Sequence, residues 1–329
     1  MKYPKFLKIN DTIGICAPSA GVGKNINDFI KSINNLKEYG FNIIETENVR
    51  KNKEVSTTPK KRAEELHKLL LNKDVDMIMC AAGGDFLYDM LPYIDYDLIN
   101  QNEKWIMGAS DPTTLLYTIT TKLDIATIYG HNAGSFDAKK LHKSQEYALD
   151  VLKGKINIQN SYKKYEKDRS TRINNNYSLT DNVEWITIND EKEIDISGRI
   201  IGGCIDCLRY LPGTKYDYTK DFIEKYKEDG IIWYFDIFSM TTEDFYLTLI
   251  QLKEAGWFKY IKGVIVGRVI YPNSYTSMTY EKALKEVFKV PVIYNADIGH
   301  VPPKMTIING SYARIKYKDK MGSIEQSLI

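Results

Sequence analysis

Apolar and polar residues follow two alternating periods through the first half of the chain. Short apolar runs that end in small residues are typical of buried strands, and apolar residues three or four positions apart are typical of amphipathic helices. The pattern predicts strands within 11–19, 41–45, 75–82 and 104–107, and helices over 26–39, 58–72 and 86–91. Strand and helix alternate in this way up to about residue 153. This order predicts a parallel α/β domain with helices on both faces of the sheet.

The pattern changes after residue 153. Residues 154–182 are polar and rich in Asn, Tyr, Lys and Ser, which predicts a linker or crossover. Apolar strands then recur, with an alternating stretch near the end that resembles an antiparallel pair. The predicted strands lie at 183–188, 194–201, 231–237, 263–268, 290–294 and within 305–317, and the predicted helices at 205–211 and 242–255. The sequence therefore predicts an α/β domain over 1–153, a linker over 154–182 and a mixed α/β domain over 183–329.

Composition and charge limit the kinds of partner that the protein is expected to bind. The chain has 329 residues, of which 43% are hydrophobic and 27% charged, and its formal net charge is +2. This balance gives no reason to expect a nucleic acid partner. No stretch approaches the ~18 apolar residues of a membrane span, and the N-terminal residues lack the apolar core of a signal peptide. We expect a cytoplasmic protein that does not enter a membrane.

Four cysteines are present, and two of them form a C-x-x-C motif. Zinc would require a second such pair or nearby histidine pairs, and the four histidines are scattered. We therefore interpret Cys204 and Cys207 as small residues that pack a short helix. Cys16 and Cys80 lie in apolar runs that are typical of core residues. The sequence predicts neither a metal nor a cofactor.

Three residues could carry chemistry. Ser110 follows a predicted strand and a glycine and precedes a predicted helix start, an elbow that would present its hydroxyl beside backbone N–H groups. Asp236 interrupts an apolar strand, and His300 lies in a loop between a glycine and two prolines. Each also has a structural interpretation: a helix cap, an acid at a strand end and a hydrogen-bonded loop residue. Spacing alone leaves both interpretations open.

Several motifs in a fixed order nevertheless resemble one family. They are ICAPS at 15–19, GG at 83–84 with LPYIDY at 91–96, GASDPT at 108–113, GG at 202–203, LPGT at 211–214, the strand that ends at Asp236, AGWF at 255–258, GVIVGR at 263–268 and DIGH at 297–300. Together they resemble the LD-carboxypeptidase family, the serine peptidases that include muramoyltetrapeptide carboxypeptidases and microcin C immunity hydrolases. The resemblance runs almost from end to end.

The resemblance implies a site and a fold. Ser110 matches the family nucleophile, His300 matches its base, and the N–H groups of Gly84 and Asp111 would form the oxyanion hole. The nucleophile would lie on a flavodoxin-like or class I glutamine amidotransferase-like N-terminal domain. His300 and its acid would lie on a C-terminal domain with swivelling β-barrel-like character, across a cleft. The implied reaction releases D-alanine from murein tetrapeptides during cell-wall recycling, and relatives suggest a homodimer.

One position departs from the family pattern. The family has glutamate where this chain has Asp236, so the carboxylate is expected to fall roughly 1.5 Å short of the imidazole. Glu243 and Asp297 are the fallback acids. For the substrate carboxylate the candidate cations are Arg268, Arg209 and Lys304, although Arg268 at a strand end favours a structural ion pair.

Two other functions stay open. A relative of the immunity hydrolases would cleave a peptidyl or aminoacyl nucleotide and would need an aromatic residue to stack on the base. The tryptophans 105, 185, 233 and 257 fit a core role better. Alternatively, the change from glutamate to Asp236 would have left a ligand-binding protein without catalysis.

Overall fold

The computed structural model describes all 329 residues and divides them into two compact units. The first unit contains Met1–Lys155, Ser170–Tyr177 and Thr306–Asn309, and the second contains Ile156–Arg169, Ser178–Met305 and Gly310–Ile329. The division into domains over 1–153 and 183–329 with a linker over 154–182 stays a prediction. No helix combines the length and the apolar composition that crossing a bilayer requires.

Strands and helices alternate through most of the chain. The strands β1 to β16 span Thr12–Cys16, Asn42–Glu45, Met77–Cys80, Trp105–Gly108, Thr127–Tyr129, Gln159–Asn160, Lys164–Tyr165, Asp181–Asn182, Ile186–Thr187, Glu193–Cys204, Ile231–Asp236, Ile261–Gly267, Val292–Ala296, Ile307–Asn309, Tyr312–Lys318 and Met321–Ser327. The helices α1 to α9 span Ile26–Glu38, Pro59–Leu71, Tyr96–Gln101, Thr113–Leu123, Lys143–Leu152, Ile205–Leu208, Thr219–Lys225, Thr242–Glu254 and Tyr280–Val287.

The first unit is built on a six-stranded sheet in the order β14-β5-β4-β3-β1-β2. Strands β1 to β5 are parallel, and β14 adds to β5 in the antiparallel direction. The strands β1, β3 and β4 are almost fully buried, as their apolar sequences predict. The loops that follow β1, β3, β4 and β5 therefore emerge at one edge of the sheet, where parallel α/β proteins bind their ligands.

The second unit is built on an eight-stranded sheet in the order β6-β16-β15-β10-β11-β12-β13-β9. Its central strands β10 to β13 are parallel, and the strands on either side of them are antiparallel. The predicted mixed α/β class is thus confirmed. The carboxyl ends of β10, β11, β12 and β13 share one edge, and β11 ends there at Asp236.

Three segments differ from the sequence prediction. Residues 305–317 do not form an antiparallel pair: β14 pairs with β5, and the pair at the C-terminal end is β15 with β16. The 3₁₀ helix Leu87–Tyr93 includes Pro92, which was expected to follow the helix. Of residues 183–188, only Ile186–Thr187 pairs, at the edge of the second sheet. Alternation in sequence indicates which face is buried but not which strand is the partner.

Candidate active site

Ser110 lies at a tight elbow between β4 and α4. Its φ is +68°, a left-handed conformation that is rare for residues other than glycine and occurs at strained nucleophile turns. The Thr113 N–H donates to the Ser110 carbonyl at 2.8 Å and closes the turn. Asn132 holds the preceding residue, Ala109, by two hydrogen bonds of 2.9 and 3.1 Å. The strand, turn and helix start predicted around Ser110 are therefore present.

Two glycines bring a second backbone segment against the elbow. A Cβ atom at Gly83 would lie 2.9 Å from the Ser110 Cβ and 3.0 Å from its Oγ. At Gly84, where φ is +150°, a Cβ would lie 2.2 Å from the Ser19 Oγ. Only glycine allows the loop after β3 to approach so closely. Backbone groups of this loop are thus near the Ser110 hydroxyl.

The Asp111 side chain connects three loops at this edge of the sheet. Its carboxylate accepts hydrogen bonds from the Ser19 hydroxyl, after β1, and from the Leu87 N–H at 2.8 Å, after β3. Burial raises the pKa of Asp111, and these two hydrogen bonds oppose that shift. The sequence indicated Asp111 only as a backbone donor. Its carboxylate and Ser19 fix the loops around Ser110, a role that required knowledge of the tertiary contacts.

In the second unit, Asp236 and His300 are in direct contact. Asp236 is fully buried at the end of β11, and its Oδ2 lies 2.7 Å from the His300 Nδ1. Its Oδ1 accepts a hydrogen bond from the His300 N–H at 3.2 Å. The expected shortfall of the aspartate is therefore absent.

Gly299 explains how the shorter side chain makes this contact. Its φ is +95°, and a Cβ at this position would lie 2.0 Å from the Asp236 Oδ1. The loop after β13 can therefore pass directly over the end of β11. The missing methylene of the side chain is replaced by a closer approach of the backbone.

Further contacts hold the His300 loop. The Arg169 guanidinium donates to the His300 carbonyl, and the Glu166 N–H donates to the Pro302 carbonyl at 2.8 Å. The Phe238 ring lies 4.7 Å from the imidazole centroid, and Tyr271 packs edge-on against Phe238 at 5.3 Å. Of these residues, only the prolines after His300 were indicated by the sequence, because the others come from polar or irregular segments without a distinctive motif.

The fallback acids have other partners. The Asp297 carboxylate accepts from the Arg268 Nη2 at 2.5 Å and from the Trp185 Nε1 at 3.0 Å. The Glu243 carboxylate accepts from Thr276 and Ser274. Asp236 is therefore the acid that this structure pairs with His300.

The three candidate cations for the substrate carboxylate also differ in their partners. Arg268 is bound to Asp297, as its place at a strand end suggested, and Arg209 forms an ion pair with Asp244 at 3.5 Å. Burial lowers the pKa of Lys304 to about 8, while the charge of Asp236 raises it. Lys304 is thus the candidate cation whose charge interacts with that of Asp236.

Cys204 also lies beside this pair. It ends β10, next to Asp236 in the register of β10 and β11, and is buried. One ligand atom from each of Cys204, Asp236 and His300 falls within 4.8 Å of the others. A hydrogen bond with Cys207, together with burial, raises the pKa of the Cys204 thiol well above its usual range. Cys204 thus precedes the short helix α6, as expected of a packing residue, and in addition lies beside Asp236 and His300.

Comparisons with known proteins agree with this architecture. The LD-carboxypeptidase N-terminal domain matches residues 13–130, and the LD-carboxypeptidase C-terminal domain matches residues 197–315. A putative carboxypeptidase of Vibrio cholerae is 27% identical over 99% of this chain and 98% of its own length. The microcin C7 self-immunity protein of Escherichia coli is 26% identical over 98% of this chain and 95% of its own length.

A solved structure shares the fold. The MccF-like protein of Streptococcus pneumoniae, in complex with AMP, is 25% identical, with a TM-score of 0.79 over 97% of this chain and 99% of its own. The two domain matches together span most of the chain, in the order in which the family has them. The chain therefore belongs to the LD-carboxypeptidase family of peptidases.

Proposed function

We propose that this protein is a serine carboxypeptidase that removes the terminal D-alanine from murein tetrapeptides in cell-wall recycling. Ser110 is the nucleophile, His300 is the general base, and Asp236 positions and stabilises the imidazole. The observation that carries the proposal is the 2.7 Å contact between the buried Asp236 carboxylate and the His300 Nδ1. A carboxylate on Nδ1 leaves Nε2 to exchange protons with a serine, as in other serine hydrolases.

The proposed reaction has two steps. The Ser110 Oγ attacks the carbonyl of the amide bond to the D-amino acid while His300 accepts the serine proton. The N–H groups of Gly84 and Asp111 stabilise the oxyanion, and His300 then protonates the leaving amine. Water hydrolyses the resulting acyl-enzyme with His300 again as base. The left-handed elbow at Ser110 and the glycine pair beside it support these assignments.

Lys304 is proposed to bind the terminal carboxylate of the substrate. Arg268 and Arg209 are held by Asp297 and Asp244, and their charges are already compensated. Lys304 is coupled to Asp236 and is partly buried, so its ammonium would interact with an anion more strongly than a fully hydrated lysine does.

Release of D-alanine from a purified muramyl tetrapeptide tests the proposal. We expect the wild-type protein to release stoichiometric D-alanine and Ser110→Ala to lose at least about 10³-fold in kcat. The control is Ser277→Ala, at an exposed serine of the second unit, which should keep full activity. Equal rates for Ser110→Ala and the wild type would refute the assignment of the nucleophile.

The variant Asp236→Glu tests whether catalysis has been lost. If the protein were a ligand-binding relative that lacks only the family glutamate, this change would create activity. We expect the opposite, because the carboxylate already contacts His300 at 2.7 Å and a longer side chain must displace the loop. The kcat/KM for the tetrapeptide should fall by about 10²-fold.

A second candidate function is hydrolysis of aminoacyl or peptidyl nucleotides. Phe238 and Tyr271 form an aromatic pair beside His300, and Tyr271 is 56% exposed. The four tryptophans are fully buried, as predicted, and cannot stack on a base. The AMP complex of the S. pneumoniae protein and the self-immunity protein support this candidate. Turnover of an aminoacyl sulfamoyl adenosine without D-alanine release would favour it over the peptidase.

The proposal also includes the fold type of each unit, the cellular location and the oligomeric state. The order β2-β1-β3-β4-β5 is the order of flavodoxin-like sheets and supports that assignment for the first unit. We also propose swivelling β-barrel-like character for the second unit, a cytoplasmic location and a homodimer. Sedimentation velocity of the purified protein tests the dimer directly.

A further inference from the structure

The second unit places a thiol, a carboxylate and an imidazole around one point. Cys204 ends β10, Asp236 ends the neighbouring β11, and His300 follows β13 in the same sheet. One ligand atom of each lies within 4.8 Å of the other two. Cys204 and Asp236 are buried, and the His300 side chain is 15% exposed. Of the three side chains, the imidazole is therefore the one exposed to solvent.

This donor set matches the chemistry of one class of metal. Thiolate, imidazole and carboxylate are the ligands of Zn²⁺, at about 2.3, 2.0–2.1 and 2.0–2.2 Å respectively, whereas Mg²⁺ and Ca²⁺ prefer oxygen alone. These bond lengths require the ligand atoms to stand about 3.5 Å apart in a tetrahedral site. The imidazole and carboxylate atoms are 2.7 Å apart and no pair of ligand atoms is more than 4.8 Å apart, so shifts of about 1 Å would give that geometry.

We propose that Cys204, Asp236 and His300 form an inhibitory binding site for Zn²⁺ and related thiophilic divalent cations. Water fills the fourth position. On binding, the Cys204 thiol releases its proton to solvent, and the His300 Nδ1 proton is transferred through solvent to Nε2, so that the imidazole stays neutral and the ion takes the place of the proton between Nδ1 and Asp236. Metal binding itself is independent of the proposed function. Inhibition rests on the proposed function, because His300 then loses contact with the carboxylate that orients it and carries a proton on Nε2, the atom that would accept the serine proton.

Co²⁺ is the probe for the site, because thiolate ligation to Co²⁺ gives a charge-transfer band in the near ultraviolet. We expect full-length wild-type protein to bind one Co²⁺ with this band and to release it when Zn²⁺ is added. Cys204→Ser should weaken binding by about 100-fold or more, since loss of a ligand exceeds the ten- to hundredfold effect of losing an outer partner. The band should disappear in this variant.

The matched control is Cys207→Ser, which keeps a hydroxyl in place of the thiol that hydrogen-bonds Cys204 and is not one of the three ligands. It should bind Co²⁺ with the wild-type spectrum. Circular dichroism checks that each variant is folded, and Cys204→Ala is the second variant if serine disturbs the strand. A wild-type protein without a stoichiometric thiolate band would overturn the site, whatever the variants do. Retention of the band in folded Cys204→Ser would do the same.

Hydrolysis assays separate this inference from the proposed function. If D-alanine release is detected, Zn²⁺ should abolish it reversibly, and Cys204→Ser should need about 100-fold more Zn²⁺ for the same inhibition. If no substrate is cleaved but Co²⁺ binds through Cys204, the metal site stands and the proposed function fails. Undiminished hydrolysis at saturating Zn²⁺ would refute inhibition.

Discussion

At the scale of single residues, the distance between two backbone segments controls the candidate site. Gly299→Ala places a methyl group 2.0 Å from the Asp236 Oδ1, so the loop that carries His300 must move by about 1 Å. We expect kcat/KM for the proposed substrate to fall by about 10²-fold, because small displacements of a catalytic group have effects of this size. Steady-state kinetics on the tetrapeptide measure it.

Gly213→Ala is the control for this prediction. Its φ of +80° imposes a similar backbone strain, but no atom lies within 4 Å of the added methyl group. It should lose about 1 kcal/mol of stability and keep its kcat/KM. If both variants lose activity equally, the strained backbone and not the contact with Asp236 is responsible.

The charge of Lys304 predicts a pH dependence of substrate binding. Burial lowers the pKa of Lys304 to about 8. Below that pH the ammonium is charged and binds the substrate carboxylate, and above it the amine becomes neutral. We therefore expect KM for the tetrapeptide to rise as pH increases through about 8.

Lys304→Arg supplies the comparison, because a guanidinium stays protonated throughout this range. The KM of this variant should stay constant between pH 7 and 9.5. If the KM of the wild type rises equally in Lys304→Arg, another group binds the carboxylate. A wild-type KM that does not vary with pH would contradict the assignment directly.

At the scale of elements, a short polar segment holds the His300 loop. The Arg169 guanidinium donates to the His300 carbonyl and the Glu166 N–H to the Pro302 carbonyl. We expect Arg169→Met to reduce kcat about 10-fold with little change in KM, because the base loses part of its support while the proposed carboxylate ligand Lys304 stays in place.

Hydrogen exchange at the His300 amide provides a readout independent of activity. It should accelerate in Arg169→Met. The neighbouring Lys167→Met removes an exposed lysine whose partner is Asp181, at 3.7 Å, and should change neither kcat nor exchange. If the His300 amide exchanges in Arg169→Met as slowly as in the wild type, the guanidinium does not restrain the loop.

The strands show how much of the fold and of the candidate site the sequence can predict. The apolar runs identified the parallel strands β1, β3, β4 and β11, because strands buried on both faces are apolar throughout. Ser110, Asp236 and His300 were selected because each breaks such a pattern at a strand end or in a pinned loop. The strands β6 to β8 were missed, since two-residue strands leave no periodicity.

Contacts between residues that are far apart along the chain could not be predicted from the sequence. Asp236 and His300 are 64 positions apart in the sequence. Their distance in space depends on how closely the backbone at Gly299 approaches Asp236. The length of the aspartate side chain predicts a gap of roughly one bond between the carboxylate and the imidazole. In the structure, the closer approach of the backbone removes this gap. The links of Asp111 to Ser19 and of Arg169 to the His300 loop likewise depend on tertiary structure and not on a local pattern.

At the scale of the whole molecule, the chain crosses between units near its C-terminal end. Residues 306–309 belong to the first unit, where β14 completes the sheet beside β5, and residues 310–329 belong to the second. Ile308 pairs with Ile128 and is fully buried. A substitution at position 308 should therefore destabilise a unit that is built mainly from residues 1–155.

We expect Ile308→Ala to lower the free energy of unfolding by about 2–5 kcal/mol, as for other large-to-small core changes. Hydrogen exchange should accelerate in β4 and β5, which share its sheet. Ile324→Ala, an equally buried isoleucine of β16, should leave these strands unchanged and accelerate exchange in β15 and β10. If Ile308→Ala instead affects β15 and leaves β5 protected, β14 does not stabilise the first sheet. Local opening follows sheet membership and not position along the chain, because cooperative units are defined by packing.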